Sequence, residues 1–288
     1  MIDRQARDLP LDAHLHTDLS PDSDVPIDAF AAAATERGIA EIAITDHVDF
    51  APSAPAYDYT TFEQRERIVR EAAERWADRG VDIRFGVEIT WDSGWEADIR
   101  DHLATYAYDF TIGSAHIYRE SPYAASNVAN WVTGRSLREI VAPYFDEVEA
   151  AARSGLFDAL GHIDFVKRFL FPHVTPADLA AAPELYERIL DALVENGTAL
   201  EINTSGLRHS PNESYPSPAI VARFRALGGR AVTVGSDAHR ADNLAWGLDE
   251  GYRAAADAGF EALTFRRGDD PVAVRIPSAP NIVAGRSL

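Results

Sequence analysis

The sequence predicts one α/β domain built as a closed barrel of repeated strand–helix units. Seven short runs rich in Ile, Val, Phe and Ala alternate with segments of helical period. Runs with so little polar alternation are typical of strands covered on both faces, which favours a closed barrel or an open doubly wound sheet. Histidines and carboxylates follow most of these runs. An open sheet collects ligand residues at one switch point, whereas a barrel brings all its strand ends to one mouth, so we predict the barrel.

The seven predicted strands lie, in chain order, in LPLDAHLHT, IAEIAITDH, DIRFGVEIT, YDFTIGSAH, FDALGHID, TALEINTS and RAVTVGSDAH. Six of the nine histidines follow five of these runs, and Glu88 and Asp237 occupy equivalent strand ends. Packing alone gives no reason to end strand after strand with imidazoles and carboxylates. A metal site at one end of the barrel supplies that reason. This mixture of ligands suits zinc, iron or manganese better than calcium or magnesium.

Helical segments separate the strands. Thr61 and Gln64 predict a capping box at the start of one helix, and Gly80 predicts its end. Ser217 and Pro218 predict the start of a later helix, with serine as the cap and proline at the first position. The predicted helices cover about 27–38, 61–80, 95–106, 136–154, 183–196, 217–228 and 243–258.

The remaining segments follow strands or end the chain. Irregular stretches at about 48–60, 117–135 and 204–216 should surround the mouth of the barrel. The tail over 260–276 reads as a short hairpin that closes the edge of the barrel. No linker or low-complexity segment divides the chain, so a single domain over 1–288 is predicted.

Composition excludes several classes of function. The formal net charge of −19, with no block of consecutive basic residues, argues against nucleic acid polymers and anionic membranes as partners. The absence of cysteine excludes disulfides, thiolate zinc sites and a cysteine nucleophile. The N-terminus lacks an apolar signal-peptide core, and no apolar run approaches the ~18 residues of a membrane span. We therefore expect a cytoplasmic protein; its oligomeric state is left open.

The first three strands carry the strongest ligand signals. His14 and His16 stand two residues apart, so both imidazoles can face the barrel interior and share a cation. His47 ends the second strand, and the preceding Asp46 is predicted to orient a neighbouring imidazole, as carboxylates behind metal ligands do. Glu88 would be a buried carboxylate, which is costly unless it is paired or metal-bound. A bridging role between two cations would explain it.

The later strands repeat this pattern. His116 and His162 follow the fourth and fifth strands, in GSAH and LGHID. Asp237 and His239 follow the last strand and again stand two residues apart. The sequence thus predicts a metal site assembled from most of the barrel.

Two arginines are predicted to bind phosphate. Arg168 and Arg208 both fall just beyond strand ends, and a guanidinium fork can bind phosphate through two hydrogen bonds. Lys167 is expected to add positive charge less specifically. His209 is a possible substrate contact, whereas His102, in the middle of a helix, is expected to be solvated.

Together these motifs resemble the PHP superfamily (polymerase and histidinol phosphatase), and within it the histidinol-phosphate phosphatase branch. The resemblance runs from His14 to about Phe265 and rests on HLHTDLSPD, ITDH, GVE, GSAH, LGHIDFVKR, LEINTSGLR and GSDAHR, in the family's order. The last three motifs, with their arginines, point to the phosphatase branch rather than to polymerase-associated domains. The resemblance implies a distorted (β/α)7 TIM-like barrel with a trinuclear metal site at its C-terminal mouth.

The resemblance also implies which residues bind two or three divalent cations (zinc, iron or manganese). One cation would be held by His14, His16, Glu88 and Asp237, a second by Glu88, His116 and His162, and a third by Asp22, His47 and His239. Many relatives have a histidine at the position of Asp22, and Asp24 is near enough in sequence to be the alternative ligand.

The activity implied by the resemblance is hydrolysis of L-histidinol phosphate to L-histidinol and phosphate, in histidine biosynthesis. A water that bridges two cations, held by Glu88 and Asp237, would supply hydroxide near neutral pH. The cations and the two arginines would neutralise the phosphoryl oxygens as charge builds up. The cationic amine of this substrate suits an acidic protein, and the group that protonates the leaving alcohol is left open.

Other functions were weighed against this one. A PHP-type phosphodiesterase or nucleotide phosphatase that acts on small nucleotides is the main alternative. Amidohydrolases also begin with H-x-H, but they commonly use a modified lysine after the fourth strand, where this chain has His116. A non-catalytic metal-binding domain would tolerate missing ligands. The ligand set in this sequence has no gap, which disfavours that alternative.

Overall fold

The strands form an all-parallel barrel in a computed structural model that describes residues 10–267 and 270–276. They are β1 (Leu11–Leu15), β2 (Glu41–Ile44), β3 (His47–Val48), β4 (Asp82–Thr90), β5 (Phe110–Ser114), β6 (Ala159–Leu160), β7 (Ala199–Asn203) and β8 (Val232–Gly235). Their order is β1-β2-β4-β5-β6-β7-β8, and β3 pairs with β4. β2 lies in the run IAEIAITDH, and the two-residue β3 begins at the last residue of that run, so the two count as one strand unit and the predicted (β/α)7 barrel is confirmed.

The first and last strands close the barrel just beyond their ends. The His16 N–H donates to the Ala238 carbonyl at 3.0 Å, and Leu15 pairs with Ala238 in parallel. This approach depends on Gly235, because a β-carbon at that position would lie 2.3 Å from the β-carbon of His14. The same closure brings the ends of β1 and β8 together at the mouth.

Helices surround the barrel, and all seven predicted helical segments are present. The helices are α1 (Ile27–Arg37), α2 (Phe62–Ala77), α3 (Glu96–Thr105), α4 (Val128–Val132), α5 (Leu137–Ser154), α6 (Lys167–Leu170), α7 (Pro176–Ala180), α8 (Glu184–Asn196), α9 (Pro218–Ala226) and α10 (Leu248–Asp257). The additional α4, α6 and α7 have four or five residues, too few to show a periodic pattern. Within the described ranges, no helix has the length and apolar character needed to cross a membrane.

The predicted caps were right at one helix and partly wrong at another. Thr61 and Gln64 form the capping box of α2, each side chain accepting from the other residue's backbone N–H. Pro218 occupies the first turn of α9, as predicted, but the Ser217 side chain makes no capping hydrogen bond. The α2 helix buries Val69 and Trp76 against the barrel.

The predicted tail hairpin is present, but it covers the floor of the barrel rather than its edge. Its strands are β9 (Ala262–Arg267) and β10 (Asp270–Arg275), paired antiparallel. The ring centroid of Phe265 lies 4.9 Å from that of Phe110, the first residue of β5. Arg266 pairs with Asp158, just before β6, at 2.9 Å. Because β1 and β8 already close the barrel, the described strands leave no open edge for the hairpin to pair with. Its apolar face packs instead against the amino ends of the strands.

One hydrophobic core fills the barrel and the layer between strands and helices. Phe30 on α1, Phe85 on β4 and Phe224 on α9 are all buried in it. The described residues therefore pack as one unit. The predicted domain limits, 1–288, include terminal residues outside the described ranges, so those limits stay a prediction.

Candidate metal centre

All nine predicted ligand side chains meet at the carboxyl ends of the barrel strands. Eight of them form three groups, and within each group the ligand atoms lie within 4.8 Å of one another: His14, His16 and Asp237; His47, Glu88 and His116; and His16, Asp22, His47 and His239. His162 joins them through Glu88. Residues up to 225 positions apart in the chain are thus brought into one cluster, from His14 on β1 to His239 after β8.

Glu88 is the centre of this cluster. Its Oε1 lies 2.9 Å from His162 Nε2 and 3.4 Å from His116 Nε2. Its Oε2 lies 3.0 Å from His47 Nδ1 and 3.3 Å from His14 Nε2. Burial by itself raises the pKa of Glu88, but the facing imidazoles hold that pKa well below its usual range. Glu88 is therefore an ionised carboxylate in a fully buried position, as a bridging ligand must be.

His14 on β1 and His16 directly after it are oriented as ligands. His14 Nδ1 lies 2.6 Å from Glu201 Oε1, which leaves its Nε2 to face the cluster. That Nε2 lies 3.0 Å from His16 Nε2, and both nitrogens face the carboxylates of Glu88 and Asp237. Two buried imidazole nitrogens that point at each other and at carboxylates are poorly satisfied without a cation. The donor set therefore fits divalent metal ions.

Asp22, and not Asp24, joins the cluster. Asp22 Oδ2 lies 3.1 Å from both His47 Nε2 and His239 Nε2. Burial raises the pKa of Asp22, but hydrogen bonds from His239 and His47 lower it below its ordinary value. Asp24 is exposed, and no contact with the cluster is found for it among the described residues.

Two ligand-type residues have strained backbones. Asp237 has φ of 51° and His162 has φ of 22°, both unusual for residues with a β-carbon. The Asp237 carboxylate is held by Asn203 Nδ2 at 3.3 Å and Ser205 Oγ at 3.2 Å. Strain of this kind persists where surrounding structure imposes it, and it concentrates at functional sites.

A cavity of about 380 Å³ lies over the cluster, and Arg168, Arg208 and His209 are among the residues that line it. Arg208 Nη2 donates to the Asp237 carbonyl at 3.0 Å, while its buried Nη1 has no hydrogen-bond partner among the described residues. Arg168 is exposed, with its guanidinium 5.8 Å from the Phe165 ring centroid. Burial and then the two neighbouring arginines lower the pKa of His209, so it faces the cavity as neutral imidazole.

Three sequence expectations were wrong. Lys167 adds no charge to the cavity, because its buried ammonium pairs with Asp164 at 3.1 Å and Glu213 at 3.0 Å. Asp46 contacts no imidazole within the described ranges; its carboxylate accepts hydrogen bonds from the backbone and side chain of Thr17. In each case the partner belongs to a distant or irregular segment, which local sequence patterns do not reveal.

His102 is the third wrong expectation. It is partly buried, and its Nε2 lies 2.9 Å from the hydroxyl of Tyr108. Its ring also packs edge-on against Phe50, with the centroids 5.4 Å apart. Its position in the middle of a helix suggested that His102 is exposed to solvent, but residues of the loops after β3 and α3 cover its side chain.

Sequence reasoning missed the residues that support the ligands. Glu201 holds His14 and also accepts the His162 N–H at 2.8 Å. Thr90 Oγ1 lies 2.9 Å from His116 Nδ1. Glu201 could have been found, since it is a carboxylate inside the apolar run TALEINTS, the same signal that identified Glu88.

Comparisons with known proteins identify the family of this chain. The family profile of the PHP domain matches residues 12–205. A protein of Deinococcus radiodurans named "probable histidinol-phosphatase" is 31% identical over 261 residues, covering 88% of this chain and 96% of the relative. A protein of Thermotoga maritima with the same name is 30% identical over 255 residues, covering 88% and 94%. The histidinol-phosphatase of Lactococcus lactis is 26% identical over 265 residues, covering 88% and 93%.

A solved structure shares the fold. The crystal structure of histidinol phosphate phosphatase from Lactococcus lactis, complexed with zinc, L-histidinol and phosphate, superposes with a TM-score of 0.78 at 23% identity. It covers 91% of this chain and 98% of the other. At 23% identity, this structural similarity supports the assignment of the barrel fold alone.

Proposed function

The chain belongs to the PHP domain family, and from this premise we propose that it is a metal-dependent phosphatase that hydrolyses L-histidinol phosphate to L-histidinol and phosphate. One observation carries the proposal: the cluster around Glu88 and the side chains of Arg168 and Arg208 line the same cavity. Relatives at about 30% identity that bear the histidinol-phosphatase name support the choice of substrate.

The cluster would hold two or three divalent cations, with zinc, iron or manganese as candidates. The proposed ligands are His14, His16, Asp22, His47, Glu88, His116, His162, Asp237 and His239. When bound, such cations acidify water and neutralise phosphoryl oxygens. Glu88 and Asp237, as ionised carboxylates at the centre of the cluster, would hold the attacking water in place.

The arginines would bind the phosphoryl group. Arg208 has one nitrogen fixed on the Asp237 carbonyl and one buried nitrogen without a protein partner, so its fork is pre-oriented. Hydrogen-bond donors that already point to where negative charge develops in the transition state contribute strongly to catalysis. Arg168, less constrained, would supply the second fork. His209, as neutral imidazole, is a possible further contact.

The leaving alcohol would extend into an adjoining cavity of about 250 Å³. Phe165 and Phe169 line its apolar wall, and Asp49 contributes a carboxylate. An imidazole ring with a cationic amine matches both features, because the ring packs on aromatic groups and the amine faces negative charge.

A PHP-type phosphodiesterase or phosphatase of small nucleotides is the alternative. The net charge of −19 disfavours nucleic acid polymers but leaves small nucleotides open. A membrane partner is not expected, and the cytoplasm is the proposed location, supported by the absence of cysteine.

The deciding experiment measures phosphate release from L-histidinol phosphate, other monoesters, small nucleotides and a nitrophenyl diester. The protein is stripped of metal and reconstituted separately with manganese, iron and zinc. We expect a kcat/KM of about 10⁴–10⁸ M⁻¹s⁻¹ on histidinol phosphate, the usual enzymatic range, and loss of activity after chelation. Faster cleavage of the diester or the nucleotides would move the protein to the alternative.

A further inference from the structure

A second cavity, of about 260 Å³, lies beside the metal cluster and is here named the side cavity. It is bounded by the end of β4, the loops after β3, β4 and β5, and one face of α5. Its lining includes the aromatic side chains of Phe50, Trp91, Trp95 and Tyr123. His116 is the one proposed ligand in its wall, and neither phosphate-binding arginine lines it. The side cavity is therefore distinct from the cavity over the metals, although it shares a wall, which includes Asp49 and Tyr118, with the cavity assigned to the leaving alcohol.

The charge in the side cavity is negative. Asp49, Asp92 and Glu147 line it, and no lysine or arginine does. Across the described residues, none of these carboxylates has an ion pair with lysine or arginine within 4 Å; they accept hydrogen bonds from neutral donors instead. Arg65 is near enough to influence Asp49, but its guanidinium donates to the carbonyls of Asp46 and His47.

We propose that the side cavity binds a small organic cation, with an ammonium group facing the carboxylates and an aromatic body among the aromatic walls. Aromatic faces attract cations, and the attraction grows when the site is desolvated. Trp91 adds one specific feature: it is 3% exposed, and its indole N–H has no hydrogen-bond partner among the described residues. A hydroxyl oxygen on the ligand would satisfy that donor.

A chain of hydrogen bonds connects the side cavity to the metal cluster. His116 Nδ1 lies 2.9 Å from Thr90 Oγ1, which lies 3.1 Å from the Tyr118 hydroxyl. That hydroxyl lies 3.0 Å from Asp49 Oδ1. Burial raises the pKa of Tyr118, so the phenol keeps its proton.

The direction of this chain follows from its ends. With His116 Nε2 facing Glu88, Nδ1 carries the proton and donates to Thr90, Thr90 donates to Tyr118, and Tyr118 donates to Asp49. A cation beside Asp49 partly neutralises the carboxylate that accepts the last hydrogen bond of this chain. The hydrogen bond that orients His116 is weakened as a result. Occupation of the side cavity should therefore lower kcat, and it should also raise KM, because Asp49 lines the cavity assigned to the leaving alcohol as well.

Calorimetric titration of the metal-loaded protein with tyramine tests the proposal, with 3-(4-hydroxyphenyl)propionate as the matched anion. We expect saturable binding of one tyramine per chain and binding of the anion about tenfold weaker or worse. Glu147→Gln and Trp95→Leu, which remove a carboxylate and an aromatic ring from the lining, should each weaken tyramine binding about tenfold. Asp146→Asn, on the neighbouring exposed position of α5, is the matched control and should change nothing.

Two results would overturn the proposal. One is unchanged tyramine affinity in both variants, with circular dichroism showing that they fold. The other is competition between tyramine and inorganic phosphate, or a rise in KM alone, which would put the amine in the cavity over the metals. Because the titration does not depend on turnover, a protein inactive on histidinol phosphate would disprove the proposed function and leave this test readable.

Discussion

Glu201 Oε1 lies 2.6 Å from His14 Nδ1, and both side chains are fully buried in the barrel. The contact fixes the imidazole so that Nε2 faces Glu88 and Asp237. A carboxylate behind a histidine of this kind sets the ring orientation and raises the basicity of the other nitrogen. The same carboxylate accepts the backbone N–H of His162, so it holds two sides of the cluster.

Replacement of Glu201 by Gln should therefore weaken metal binding by about 10- to 100-fold, the usual effect of losing such a partner. Competition with a chromophoric chelator measures the affinity. Glu250→Gln, an exposed position on α10, is the control and should bind metal like the wild type. If the Glu201 variant binds metal as tightly as the wild type, the contact between Glu201 and His14 does not contribute to metal binding.

His239→Ala should keep the fold and lose most hydrolysis. The side chain is 31% exposed and contacts Asp22 at 3.1 Å, so its removal opens no cavity in the core but breaks the most exposed ligand group. Activity on L-histidinol phosphate and the thermal unfolding midpoint are measured together. His173→Ala, an exposed loop histidine, should be indistinguishable from wild type. Near-normal turnover in the His239 variant contradicts the third group of ligands.

Arg208→Lys should reduce kcat/KM by about 10²-fold, because an ammonium cannot donate both to the Asp237 carbonyl and in a fixed direction to phosphate. Steady-state kinetics with histidinol phosphate give the value, and inorganic phosphate should become a weaker inhibitor. Arg230→Lys, exposed at the opposite end of β8, is the matched control. A lysine variant with unchanged kinetics would remove Arg208 from the phosphate site.

Stability should fall on acidification partly through His102. Burial, followed by the nearby Arg65, lowers the pKa of His102 to about 4. As the pH falls from 6.5 towards 4, the unfolded chain takes up a proton that folded His102 does not, so this contribution to stability is lost in that window. After allowance for solvent screening, the loss between pH 7 and pH 5 is about 1 kcal/mol.

Urea unfolding of the wild type and His102→Gln at both pH values isolates this effect, since the remaining histidines titrate in both proteins. The free energy of unfolding of the wild type should drop more than that of the variant on going to pH 5. Parallel changes in the two proteins would mean that His102 is accessible to protons in the folded state.

The sequence by itself predicted the repeating strands and helices and the chemical type of the residues at the strand ends. These are local properties: apolar runs, caps such as Thr61 with Gln64, and imidazoles placed directly after a strand. Because parallel strands in a barrel all end at one mouth, the strand ends were enough to predict most members of the cluster, including Glu88 and Asp237, whereas Asp22 was predicted only from the family resemblance.

Only the tertiary structure decided which of these groups meet and what holds them. Glu201 and His14 are 187 positions apart. The choice of Asp22 over Asp24, the burial of Lys167 against Glu213 and the place of the tail hairpin also depend on distant partners. Side-chain type and spacing are encoded along the chain, whereas contacts at 3 Å arise from barrel closure and loop packing, to which every segment contributes.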